Sequence, residues 1–157
     1  MYPLGHVGIA LVLSSLFFIP AAALVVGVLL PDIFDKGLAL LGVLECGRSA
    51  GHNIFFALGA GAVAFLATRN RGIALAILLG VLLHLAQDSA HFVPYLYPLM
   101  QYDFGECGPV QFQPGNFEIA MEAVGLALIV VWWKWKAKLV YLRERVLKTK
   151  RLKRVFG

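Results

Sequence analysis

Charge is what this chain most lacks. Charged residues make up only 15% of its 157 positions while 60% are hydrophobic, and a mean hydropathy of +0.78 excludes a soluble domain of ordinary composition. The sequence therefore reads as a membrane protein. It has only two cysteines, Cys46 and Cys107, too few for a disulfide framework and with no zinc-ribbon spacing, which leaves one bridge open. No basic segment precedes the first apolar run, so that run is read as part of the mature protein and not as a cleavable signal. With neither an internal repeat nor a low-complexity linker, the length allows one compact helical bundle.

Apolar runs separated by Pro, Gly and charged turns divide the chain into about five helices. Residues 4–19 form the first, and Pro20 restarts the chain into a second that ends at Pro31-Asp32. Residues 34–44 read as a short interfacial helix or covering loop, and 45–51 as a polar turn. Residues 52–67 and 72–91 form the third and fourth helices, joined by the basic turn Thr68-Arg69-Asn70-Arg71. A proline- and aromatic-rich loop, 93–115, leads to a fifth helix from Asn116 to about Trp135, closed by an interfacial belt of Trp132, Trp133 and Trp135. The expected architecture is an all-α integral membrane bundle over 1–135, followed by a basic tail over 136–157.

What charge there is, is segregated. Ten of the fourteen Lys and Arg residues lie between Lys134 and Arg154, and Arg69 and Arg71 occupy the third-to-fourth turn. Positive-inside bias puts both in the cytoplasm, and helix alternation then places Asp32, Asp35, Glu45, Asp88, Asp103, Glu106, Glu118, Glu122 and all four histidines at the extracytoplasmic end. The tail suits contact with anionic lipid, worth ~1 kcal/mol per basic residue. It lacks the aromatic interleaving of a nucleic-acid surface.

The densest chemistry lies in GVLLHLAQDSAH, residues 80–91. On a helix His84 stacks over Asp88, and Asp88 over His91, inside an apolar run where each ionisable group costs roughly 2.5–3.5 kcal/mol unless partnered. Alternation adds His6, Asp32 and His52 at the same end, with Glu118 and Glu122 in the first turns of the fifth helix. Imidazoles and carboxylates from several bundle helices suit a hydrolytic site of one or two divalent ions. Zinc fits a His/Asp mixture, and it lowers the pKa of bound water toward ~7. Arg48 is the cation best placed to clamp a phosphate, unless it pairs with Glu45. Asp35 is a second carboxylate able to orient a water. The macrodipole alone favours Glu118 and Glu122 where they stand.

His6 in GHVGIA, Asp32 in LLPDIFD, Arg48 and His52 in GRSAGH, and His84 with Asp88 in GVLLHLAQD together resemble the family of inner-membrane metal-dependent hydrolases known as LexA-binding hydrolases. That family is distantly similar to zinc-dependent phospholipase C. The resemblance spans residues 1–91. It implies one ion held by Asp32, His52, His84 and Asp88, with His6 on a second ion that Asp88 bridges. The family's His, Thr and Ser around the Arg48–His52 spacing are missing here, and a third ion would have only His91, Glu118 and Glu122.

The functional expectation is a membrane metallohydrolase acting on a phosphoester of a lipid or lipid-linked substrate. Its rivals are a non-catalytic membrane protein with a structural metal or a partner, and an ion or proton pathway. The pathway is disfavoured because residues 73–83 carry no side chain more polar than Gly or Ala.

Overall fold

The computed structural model describes residues 3–44, 46–107 and 115–156, with 106 and 139–156 as backbone only. Among these residues all regular structure is helical: α1 (Pro3–Leu16), α2 (Ala21–Leu40), α3 (Ile54–Thr68), α4 (Arg71–Gln87) and α5 (Asn116–Phe156), with a 3₁₀ turn at Phe104–Cys107. Helix α4 packs against α2 and α3, and α1 packs against α2 and α5.

Local chemistry sets the helix ends. Asn53 Oδ1 accepts from the Phe56 N–H at 2.8 Å to start α3, which leaves His52 in the turn ahead of the helix. Asn70 Oδ1 accepts from Gly72 and Ile73 N–H at 2.9 and 3.2 Å to start α4, directly after the left-handed Arg69 that ends α3. Helix α4 stops at Gln87, four residues before the expected end, so His91 lies beyond the His84–Asp88 stripe.

Helix α2 differs most from expectation. It runs unbroken through Pro31 to Leu40, so residues 34–40 are not a separate element. The proline ring fixes a φ that is itself helical, and the cost is the backbone bond its missing N–H would have given to the Gly27 carbonyl. Asp32, Asp35 and Lys36 therefore share one helix. Lys36 pairs with Asp32 at 2.7 Å across one turn.

Glycines set the helix spacing. A Cβ on Gly27 would strike the Ile77 carbonyl, and one on Gly80 the Leu24 carbonyl and the Gly27 Cα, so α2 and α4 cross in backbone contact. Gly8 and Gly125 do the same for α1 and α5. Trp132 Nε1 donates to Ser15 Oγ at 2.8 Å farther along that pair. Helix α5 does not end near Trp135 but continues through the basic segment to Phe156.

Among the described residues one helix, over Asn116–Lys138, is long and apolar enough to cross a membrane, and only 6% of its most apolar 18-residue stretch is buried. Helices α1, α3 and α4 are apolar but shorter.

The loops around the bundle end are tied covalently: Cys46 and Cys107 form a disulfide with Cα atoms 5.8 Å apart. It joins the turn before α3 to the loop after α4, where Phe92, Tyr97, Tyr102 and Phe104 pack edge to face. Residues 108–114 of the long loop, and Glu45, lie outside the described residues. With 61 residues of separation, the bridge restricts the unfolded chain by about 4 kcal/mol in the chain-entropy account. Cys107→Ser should therefore lower the thermal midpoint in detergent markedly. Alkylation of both thiols in untreated protein would show that the bridge does not form.

Candidate metal centre

Four side chains from three places in the chain converge at one end of the bundle. Asp32 comes from α2, His52 from the turn before α3, His84 from the last turn of α4 and Asp88 from its C-terminal cap. One ligand atom from each lies within 4.8 Å of every other. His6, Asp35, His52, His84 and Asp88 are all 0% exposed.

The two imidazoles are oriented by what their Nδ1 atoms meet. His84 Nδ1 lies 2.7 Å from the Val28 carbonyl oxygen, which can only accept, so Nδ1 carries the proton. His52 Nδ1 lies 2.8 Å from Asp35 Oδ2. That carboxylate also accepts the Ser49 and Gly51 N–H groups at 2.6 and 2.7 Å, so it receives the His52 proton as well. Both rings thus turn an Nε2 lone pair inward, and the two Nε2 atoms are 3.1 Å apart. Two lone pairs at that distance repel unless a cation, proton or metal, lies among them.

The carboxylates complete the set. Asp32 Oδ1 is 3.5 Å from His52 Nε2 and 3.8 Å from His84 Nε2, and Asp88 Oδ2 is 3.9 and 3.8 Å from the same atoms. Ligand atoms about 2.0–2.1 Å from a tetrahedral ion are separated by about 3.3 Å, so the group, whose ligand atoms lie within 4.8 Å of one another, would contract around an ion. Asp32 Oδ1 is buried with no hydrogen-bond partner among the described residues, which an ion would supply. Hydrogen-bonded outer partners of this kind, a carboxylate on one histidine and a carbonyl on the other, are what metal-ligating imidazoles need. The donor set fits a divalent ion.

Electrostatics point the same way at His52. Burial works against its imidazolium, but Asp32 and Asp35 outweigh that and hold its pKa above the ordinary histidine range. Two carboxylates that favour a proton there favour any cation.

Arg48 borders the group. Its Nε donates to Asp88 Oδ2 at 3.0 Å, its side chain is 23% exposed, and its terminal nitrogens make no hydrogen bond among the described residues. Its backbone N–H donates to Cys46 Sγ at 3.2 Å, so the disulfide seats the residue.

The other expected site residues separate from the group. Asp35 is not placed to orient a water, because its oxygens are occupied by His52, Ser49 and Gly51; it orients a ligand instead. Glu122 accepts from the Leu4 and Gly5 N–H groups at 3.2 and 3.0 Å, capping the first turn of α1. Glu118 stands in the first turn of α5, outside the ligand group. His91 N–H donates to the Asp88 carbonyl at 2.8 Å. Burial and the nearby Arg48 charge lower the His91 pKa, and it too lies outside the group. His6 touches the cluster through Asp88, at 3.4 Å. Sequence reasoning missed the Val28 carbonyl and Gln87, which accompanies His6. Gln87 was visible as the one amide in an apolar helix end; the carbonyl left no sequence signal.

No family model, curated protein or solved structure matches this chain.

Proposed function

We propose that the chain is a multi-pass membrane metallohydrolase acting at the extracytoplasmic surface on a phosphoester of a lipid or lipid-linked substrate, in keeping with its resemblance to the inner-membrane metal-dependent hydrolases. The observation that carries the reading is the pair of inward Nε2 lone pairs beside the orphaned Asp32 oxygen. Asp32, His52, His84 and Asp88 would hold the ion. When bound, a divalent ion supplies Lewis-acid polarisation and a water of lowered pKa. Asp35 and the Val28 carbonyl fix the two imidazoles. Arg48, anchored through Nε, offers its terminal nitrogens to phosphoryl oxygens and stabilises charge that develops on them.

Two features support membrane insertion with the centre outside. Large apolar side chains such as Leu58, Val63, Leu66, Leu75 and Leu79 are exposed along α3 and α4, as lipid contact requires and water disfavours. Those helices, at 15 and 17 residues, suit a tilted or locally thinned setting better than the full ~30 Å core. The Cys46–Cys107 bridge belongs to an oxidising compartment, and it lies at the end opposite Arg69 and Arg71. Disulfide and charge bias thus agree on sidedness.

A second reading, a structural metal, is favoured by the count of four protein ligands, since catalytic zinc commonly keeps one position open. Turnover decides between them. Metal-loaded protein in detergent should cleave a chromogenic phosphodiester or a short-chain phospholipid, and Arg48→Ala should reduce kcat/KM by about 10²-fold or more with one metal still bound. Full loading without turnover on either substrate would favour the structural site.

A further inference from the structure

Among the described residues, Asp88 is approached from two sides. Oδ2 takes Arg48 Nε and faces His52 and His84, whereas Oδ1 faces His6 Nε2 at 3.4 Å. His6 is fully buried, stacked on the His84 ring with centroids 4.2 Å apart, and its Nδ1 lies 3.0 Å from Gln87 Oε1.

Two proton arrangements fit this chain of groups, and they imply different roles. With the proton on Nδ1, His6 donates to Gln87 Oε1. A bare Nε2 then faces a carboxylate oxygen and Gln87 Nε2 has no acceptor, and both nitrogens are among the buried atoms without partners. That arrangement calls for a second cation between His6 and Asp88. With the proton on Nε2, His6 aims it at Asp88 Oδ1, 3.4 Å away, a gap that a shift of a few tenths of an ångström would bring to hydrogen-bond length. A half-turn of the Gln87 amide, which exchanges its N and O in place, then gives Nδ1 a donor. The turned amide and that small shift together satisfy both orphaned nitrogens.

The ligand supply separates the two. Among the described residues the one group of three or more His, Cys, Asp and Glu ligands is Asp32, His52, His84 and Asp88. A second ion at His6 would have, among the described residues, His6 and a shared Asp88 oxygen, too few protein ligands for a dedicated site.

Resting on the metal-centre reading, we propose that His6 is the positioning residue of Asp88 in a centre of one ion. Gln87 fixes the His6 tautomer, His6 Nε2–H holds Oδ1, the His84 ring holds His6 in plane, and Oδ2 is kept turned toward the ion. This is the same division between inner ligand and outer partner that Asp35 makes with His52.

Cobalt(II) titration of the detergent-solubilised full chain, followed by its visible absorption, tests the proposal. Wild type should bind one cobalt per chain. His6→Gln, whose amide N–H reaches the Nε2 position, should keep that stoichiometry and spectrum with affinity within about threefold. His6→Ala should still bind one ion but about 10–100-fold more weakly, the loss typical of an outer partner. Two cobalt ions in wild type and one in His6→Gln would overturn the proposal and make His6 a ligand, as would unchanged affinity in His6→Ala. If Asp32→Asn bound cobalt as tightly as wild type, the centre itself would be misplaced and the proposal would fall with it.

Discussion

Asp32→Asn should release the metal while leaving the bundle folded. Asparagine keeps the shape of the side chain but removes the charge of Oδ1, the buried oxygen with no hydrogen-bond partner among the described residues. Protein zinc sites bind with about 10–16 kcal/mol shared over four ligands, so one ligand's share is about 2.5–4 kcal/mol, or a loss of roughly 10²–10³ in affinity. Lys36, which loses its ion-pair partner, is 33% exposed and can turn to water, so thermal stability without metal should change little. Competition titration against a chromophoric chelator measures the shift. An affinity within threefold of wild type would remove Asp32 from the centre.

Gly80→Ala should do damage of a different kind. The new methyl meets the Leu24 carbonyl and the Gly27 Cα, backbone atoms that move only if α2 and α4 separate. Overpacking of this sort costs typically 1–3 kcal/mol and occasionally more. Because Asp32 rides on α2 and His84 and Asp88 on α4, separation also pulls the ligand atoms apart, so metal affinity should fall together with the melting temperature. Gly59 is the internal control, since a Cβ there meets nothing within 4 Å. Gly59→Ala should raise stability by roughly 0.5–1 kcal/mol through helix propensity alone and leave metal binding untouched. Equal melting temperatures for the two variants would contradict the close crossing.

The parts of the site legible in the sequence were those governed by local periodicity. His84 and Asp88 are one helical turn apart in an apolar run, and alternation of helices was enough to bring Asp32 and His52 to the same end. What sequence spacing did not carry was anything set by a chain reversal or a helix end. Asp35 reads as a free carboxylate until the 46–53 turn folds back over α2 and presents two N–H groups and an imidazole to it. His91 belongs to the stripe only if α4 runs its full expected length, and the helix stops at Gln87. Glu122 stayed open between a ligand and a helix-end acid because its use, capping the first turn of α1, depends on a helix 117 residues away. Pro31 suggested a break where the helix continues, because one lost hydrogen bond costs less than abandoning the packing of α2 on α4. The basic tail was read from charge alone, and charge does not say whether the backbone beneath it stays helical.

X-ray absorption at the zinc edge, on protein loaded with one equivalent of zinc, tests the central claim most directly. A centre built from Asp32, His52, His84 and Asp88 predicts a shell of nitrogen and oxygen scatterers at about 2.0–2.1 Å, outer-shell scattering from two imidazoles and no sulfur. Failure to retain zinc, with His52 and His84 sharing a proton instead, would contradict it, as would a sulfur shell at about 2.3 Å.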